Sequence, residues 1–393
     1  MQKSLLVGID EFSLVLHVQS PVDSRDWLAA ADDFIKEFLA KSKIEVLFDK
    51  LVPMTSKLPS GYTEGLTVEN VTWYFAIAVH EHYQEMGVLI RFSAEAWARY
   101  QKEYRRKFGT GINIATFYQH IQSNVYKTRM SRIDVTADYF NYGKAMKPDT
   151  IYESLIGRKV IVVDCNERAA NRKLTHHGTG GYIETIYLGS KKENTKALCR
   201  IYDKRLEQVV HNGFRLAEAL GCESWTRFEV SYRGNYAWQV ADGLINIHRE
   251  VELSQYIASK ITDKYRFYIV SDEDYTGYTN DLLTIAGNSS FSALRSENPK
   301  NNSLRESVSY LIKGSGLFPT LYKVGSIWGE DTEKELMKYL YDMYIDVYRP
   351  EAYKDRKLAA WIKKNYSSLY NQTLRESLLT VDDAEKGGGD NET

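Results

Sequence analysis

The chain has 393 residues, with 51 Lys and Arg against 52 Asp and Glu and a formal charge of −1. At about 100–200 residues per domain this length holds two or three domains, and 43% hydrophobic with 26% charged residues excludes a disordered or fibrous chain. The near-neutral balance excludes a protein held to nucleic acid by bulk positive charge, but it leaves local basic surfaces open.

No apolar run approaches the roughly 20 residues of a membrane span. Asp10 and Glu11 interrupt the segment where a signal peptide would need its apolar region. Cys165, Cys199 and Cys222 lack metal-type spacing and cannot all pair. A cytoplasmic protein without membrane contact is therefore expected. Leu5 to Val18 reads as a strand, and Asp23 to Lys43 carries apolar residues at helical spacing. Val71 to His80 and Val88 to Phe92 read as paired strands around a turn at Glu85–Gly87. Ser93 is placed to cap a helix over Ala94–Phe108.

Further strands are expected at Ser131–Phe140, Lys159–Val163, Ile183–Gly189, Ala197–Tyr202 and Thr226–Arg233, with one helix over Leu206–Leu220. His176-His177 before three glycines reads as a flexible loop. The pattern predicts an α+β fold: a mostly antiparallel sheet with covering helices, spanning 1–285, and a smaller C-terminal helical region at 304–378 that could bind DNA. An Asn/Ser-rich linker, 286–303, separates them, and 380–393 reads as a disordered acidic tail.

Three segments carry candidate chemistry. In Arg132–Asp138, Asp134, Thr136 and Asp138 share one strand face. Two carboxylates there repel unless a cation sits beside them, and Mg²⁺ or Mn²⁺ would take such oxygen ligands; the alternative is a solvated face paired by Arg132 or a lysine. In Arg200–Glu207, Tyr202 lies between Arg200 and Lys204, cations that would stabilise a phenolate nucleophile; the alternative is a tyrosine packed at a strand end, in a chain with 29 tyrosines. In Thr226–Arg233, Glu229 reads either as a metal ligand between phosphate-binding Arg227 and Arg233 or as part of an ion-pair ladder. The loop bearing Lys191 and Lys192, and the Arg105-Arg106-Lys107 cluster, could hold a DNA backbone. His80-Glu81-His82 would set two imidazoles on one strand face, and it reads as structural. No P-loop, G-x-S-x-G, H-E-x-x-H or paired C-x-x-C is present, so ATP hydrolysis is not expected.

Taken in order, RIDVTAD, TIYLGSKKENTKALCRIYDKRLEQ and TRFEVSYRG resemble the Rep_trans replication initiation factor family. That family includes the Rep proteins of staphylococcal rolling-circle plasmids and related relaxases of Gram-positive integrative conjugative elements. The opening GIDEFSLVLH and, weakly, SGLFPTLYKVGSIWG extend the resemblance. It implies a tyrosine that attacks one DNA phosphodiester at an origin, leaving a 5′-phosphotyrosyl link and a free 3′-hydroxyl. On this sequence the nucleophile falls on Tyr202, with Tyr187 and then Tyr182 as reserves. The metal positions carry to Asp134 and Glu229, then to Asp138 and Asp10. Arg200 and Lys204 would neutralise the phosphate or phenolate. The implied partners are origin DNA, a helicase and a second copy of the chain. A non-catalytic origin-binding regulator on the same sheet is the alternative, and the chain length tips the enzyme reading towards a relaxase over a plasmid initiator.

Overall fold

The computed structural model describes residues 2–19, 26–48, 50–169, 173–191, 195–287, 291–294, 304–313, 315–329 and 331–369. The chain divides into two units, Met1–Ser296 and Glu297–Thr393. In chain order the strands of the first unit are β1 (Ser4–His17), β2 (Leu51–Pro53), β3 (Glu64–Val68), β4 (Phe75–Val79), β5 (Val88–Phe92), β6 (Lys127–Phe140), β7 (Val160–Val163), β8 (Leu174–Thr179), β9 (Tyr182–Leu188), β10 (Ala197–Asp203), β11 (Trp225–Arg233), β12 (Arg266–Ile269) and β13 (Asp274–Tyr275). Ten of them form one antiparallel sheet in the order β2-β3-β4-β5-β1-β6-β11-β10-β9-β8. The remaining three form a second sheet, β13-β12-β7, so the strand expected at Lys159–Val163 belongs to a separate layer. The α+β class read from the sequence is the class observed.

The main helices of this unit are α1 (Trp27–Ser42), α2 (Ile44–Leu47), α3 (Ala94–Phe108), α4 (Ile114–His120), α5 (Pro148–Ile156), α6 (Lys204–Val210), α7 (Leu216–Leu220), α8 (Asn235–Leu244), α9 (Glu250–Lys264) and α10 (Gly277–Ala286). Ser93 caps α3 as expected, its Oγ accepting from Ala96 N at 3.3 Å. Period two decides the sheet's faces. Ile133, Val135 and Ala137 of β6, Phe228, Val230 and Tyr232 of β11, and Cys199 and Ile201 of β10 all enter the hydrophobic core. Phe12 and Phe92 stack across β1 and β5 with centroids 4.9 Å apart, and Trp97 of α3 meets Phe12 edge-on. Each such buried side chain contributes about 1.5–3 kcal/mol.

Local expectations fail in identifiable places. The single helix over Leu206–Leu220 is two, α6 and α7. Asn212 adopts φ 48°, and the Gln208 side chain lies where a Cβ on Gly213 would sit. Gln208 also receives the amide of Arg215 at 2.8 Å, which holds the turn. His176 and His177 lie in strand β8, paired with β9, and Gly180 and Gly181 supply the positive φ of the intervening turn. Strand β4 starts at Phe75, later than expected. His80 and His82 follow it in a bend, where His82 N donates to His80 Nδ1 at 3.0 Å; the pair has no strand-face arrangement.

The first unit runs past the expected boundary at 285: Leu294 is buried, and its amide bonds Asp263 Oδ2 at 3.0 Å. Most of the expected 286–303 linker and all of the 380–393 tail lie outside the described residues. In the second unit, helices cover Leu304–Lys313, Leu317–Trp328, Asp331–Met343 and Arg356–Leu369, all within the helical region expected at 304–378. Among the described residues, no helix is long and apolar enough to cross a membrane.

Candidate active site

The face of the large sheet opposite the core is lined by charge. Register sets this out in rows. One row runs His177 (β8), Thr185 (β9), Tyr202 (β10), Arg227 (β11) and Asp138 (β6). The next runs Thr175, Tyr187, Arg200, Glu229 and Thr136. A third pairs Leu198, Ser231 and Asp134. On β1 a bulge places Asp10 and Glu11 together across from Asp134, between the pairs Ile9–Val135 and Phe12–Ile133. Without the bulge, alternation would send one of these acids into the core.

Tyr202 lies at the centre. It is 5% exposed, yet its ring is on the polar face, and its hydroxyl donates to Glu229 Oε2 at 3.0 Å. Arg200 Nη2 donates to both oxygens of Glu229 at 2.8 Å. Two cations flank the Tyr202 ring: Arg200 at 4.6 Å and Lys204 at 5.5 Å from its centroid. Lys204 is itself buried and pairs with Glu207 at 2.8 Å. Burial first, and the Glu229 carboxylate next, hold the Tyr202 phenol well above its ordinary value, while Arg227 and Arg200 pull the other way. The backbone here follows from sequence: β10 ends at Asp203, whose Oδ1 caps α6 through Leu206 N at 2.8 Å.

A cavity of about 520 Å³ opens beside Tyr202 and Arg200, walled by His177, Thr185, Glu207 and His211. The Arg200 Nε–H has no hydrogen-bond partner although it is hidden from solvent. An unpaired guanidinium donor beside a cavity suits an anion.

The carboxylates are matched to guanidinium groups. Arg132 donates to Asp134 (3.0 and 2.5 Å) and to Glu11 (2.7 Å), and Arg91 also donates to Glu11 at 2.9 Å. Arg227 bridges Asp138 (2.7 and 2.8 Å) and Asp10 (2.6 Å). Arg215 (3.1 Å) and Trp225 Nε1 (2.7 Å) complete the shell of Asp138. Burial alone would push Asp138 up, but Arg227 and Arg215 outweigh it and hold the carboxyl below its usual range. Asp134 goes the other way: burial first, opposed by Arg132 and reinforced by Glu229 and Glu11, pushes it up to about 7.

Several expected roles are corrected by this network. Arg227 is 2% exposed with its guanidinium committed to Asp10 and Asp138, so it is an internal counterion and has no free face for a phosphate. The cation that Asp134 and Asp138 require is supplied here by arginine. Arg233 is half-buried at the end of β11, opposite Arg132. Tyr187 is half-buried one strand from Arg200, with Lys191 Nζ 3.5 Å from its ring centroid. Tyr182 is 72% exposed at the β8–β9 turn, and Lys192 lies outside the described residues. Glu11 and Arg215 are parts of the site that sequence reasoning left without a role, while the pairing of Asp134 by Arg132 is the alternative that it offered. Two consecutive acids inside an apolar strand were the available signal for Glu11.

The all-oxygen donor set of Asp134, Glu229 and Glu11 is of the kind that Mg²⁺ or Mn²⁺ takes. Among the described residues, no group of three or more His, Cys, Asp or Glu side chains is already arranged to hold a metal ion.

The raised Asp134 has a consequence for stability. Between about pH 4 and pH 7 the folded chain keeps a proton on Asp134 that the unfolded chain releases, so stability contributed there falls as pH rises through that window. Asp134→Asn should therefore gain on wild type by on the order of a few kcal/mol from the acid to the alkaline end. Urea unfolding of both proteins across this range measures it. Parallel stability curves would mean that Asp134 stays ionised on the Arg132 fork.

No curated protein is similar enough in sequence to count as a match. A solved structure described as that of a rolling circle replication initiator protein from Geobacillus stearothermophilus is similar over 72% of this chain and 97% of its own, at 14% identity and a TM-score of 0.49. The family model for replication initiation factors, Rep_trans, matches residues 128–340. That stretch contains β9, β10, β11 and β6 from its second residue, with Tyr202, Glu229 and Asp134, while Asp10 and Glu11 of β1 lie outside it. Since the match covers more than half of the sequence, this chain belongs to the Rep_trans replication initiation factor family.

Proposed function

We propose that this chain is a site-specific nicking and joining enzyme of single DNA strands, with Tyr202 as its nucleophile. The observation that carries the reading is the Tyr202–Glu229 hydrogen bond of 3.0 Å beside a cavity with an unpaired Arg200 donor. Glu229, which accepts the hydrogen bond of the phenol, would act as its general base. In the attack, the Tyr202 oxygen bonds to phosphorus as its proton passes to the Glu229 carboxylate. The bond from phosphorus to the 3′-oxygen breaks, and that oxygen takes a proton to become a free 3′-hydroxyl. The products are a 5′-phosphotyrosyl link and a primer end. Since one phosphodiester replaces another, the step requires no ATP.

Arg200 suits the non-bridging oxygens of the scissile phosphate, with Lys204 beside the phenol. Asp134 and Glu229, with Asp10 and Glu11 nearby, would hold Mg²⁺ or Mn²⁺ once their arginines yield, and the ion would supply charge stabilisation at the phosphate. Lys191, Lys192 and Arg233 would contact the backbone of origin DNA. We further propose action in the cytoplasm with a helicase that opens the duplex, and a homodimer at the origin. Conjugation genes beside the coding sequence would favour a relaxase, and a lone small plasmid would favour a replication initiator.

The test uses supercoiled plasmid carrying the cognate origin, with Mg²⁺ or Mn²⁺. Nicked circles and a protein–DNA adduct stable to denaturant are expected. Tight origin binding with neither product would leave a non-catalytic origin-binding regulator as the reading.

A further inference from the structure

β11 stops pairing with β6 at the Arg132–Arg233 register, and Gly234 turns the chain into α8. β6 runs on to Lys127 paired with β1 alone. The open edge and α8 together wall a cavity of about 490 Å³. Trp238 of α8 forms one side, and the Arg129 guanidinium lies 3.1 Å from its ring centroid. Lys127 stands exposed at the rim. The Thr128 hydroxyl in the lining is hidden from solvent and has no hydrogen-bond partner. Buried hydroxyls are ordinarily satisfied, and the cleavage chemistry above uses none of these residues.

We propose that this cavity takes one unpaired nucleobase of single-stranded DNA, stacked on the Arg129–Trp238 platform, with the adjoining phosphate on Lys127. The inference rests on the DNA-cleavage reading for its substrate. A guanidinium held over an indole ring is a cationic aromatic surface, and unstacked bases bind such surfaces. The Thr128 hydroxyl offers a donor and an acceptor to a base edge. The volume suits one nucleotide and is far too small for a duplex. A base within a duplex has both faces stacked and its edge paired, so only a single strand can present one. Tyr202 lies in the row of Asp138, which is nine residues along β6 from Arg129, roughly 30 Å at ~3.3 Å per residue. A strand held at Tyr202 would therefore span several nucleotides before its next unpaired base enters the cavity.

The test measures fluorescence anisotropy of labelled oligo(dT) with the full chain carrying Tyr202→Phe, so that nothing is cut. Adding Trp238→Ala should weaken oligo(dT) binding about tenfold and leave duplex binding unchanged, while Trp238→Phe should retain most of the affinity. An abasic site walked along the oligonucleotide should cost a similar factor at one position, and nothing further in Trp238→Ala. Ultraviolet crosslinking of iodouracil-substituted oligonucleotide should map to Trp238 or to Tyr118 of α4, which also lines the cavity, a readout that survives even if Trp238→Ala fails to fold. Unchanged affinity of folded Trp238→Ala, a flat abasic scan, or crosslinks confined to other regions would overturn the proposal. If the original chain nicks plasmid while any of these occurs, the cavity proposal alone falls. If nicking fails while the scan and crosslinks hold, the cavity stands and the cleavage reading falls.

Discussion

Tyr202→Phe is expected to lose the covalent DNA adduct and the nicked product together, by at least about 10⁴-fold, the scale on which removal of a nucleophile or its partner acts. Binding to origin DNA in a mobility-shift assay should stay within about twofold, because the ring and its two flanking cations remain. The substitution removes one hydrogen bond of 3.0 Å to Glu229. Arg200 still grips both Glu229 oxygens, so the stability cost should be about 1 kcal/mol. Tyr187→Phe serves as the control. Tyr187 sits one strand over, on the same sheet face, beside Arg200 and Lys191, and should nick normally. If Tyr202→Phe still forms the adduct and Tyr187→Phe does not, the nucleophile is Tyr187.

Arg227→Met should be the most destabilising single change on this sheet face. The guanidinium is 2% exposed and joins Asp10 of β1 to Asp138 of β6. Methionine fills similar space but takes the guanidinium from Asp10 and leaves Asp138 with Arg215 as its counterion. Breaking a buried pair in this way costs roughly 3–5 kcal/mol, on the order of 10 °C in Tm for a unit of this size. Arg227→Lys should recover only part of it, since an ammonium cannot hold both carboxylates in the same fork geometry. Combining Arg227→Met with Asp138→Asn should cost less than the sum of the two, because each removes the other's unpaired charge. A loss below about 1 kcal/mol for Arg227→Met in thermal or urea unfolding would show that Arg227 is not the internal counterion, and would return it to the list of phosphate contacts.

These expectations separate the chain's local determinants from its global ones. Strand and helix positions were legible because they depend on neighbours in sequence. Alternation in Arg132–Asp138 and Thr226–Arg233 placed Ile133, Val135, Phe228 and Val230 in the core and the acids and arginines on the other face. Ser93 before Ala94–Phe108 marked a cap by its own side-chain reach. The grouping of Arg200, Tyr202 and Glu229 was implied by the resemblance to the Rep_trans family; strand patterning by itself gave only the face of its own strand on which each residue lies.

Pairing across distance was not legible. Period two says that Asp134 and Asp138 share a face and need a cation, but a metal ion and a guanidinium meet that need equally well on paper. The choice is made by the register of β1, β6 and β11, which brings Arg227 to Asp10 across 217 residues of sequence. The bulge at Asp10–Glu11 breaks the alternation that a sequence reading relies on, so Glu11 joins the site unannounced. The break between α6 and α7 depends on one residue in a left-handed conformation and a glutamine folded back on the turn. Side-chain periodicity is a property of the local backbone and survives in the bare sequence. Which charge neutralises which is a matter of distances between strands, and those exist only once the sheet has assembled.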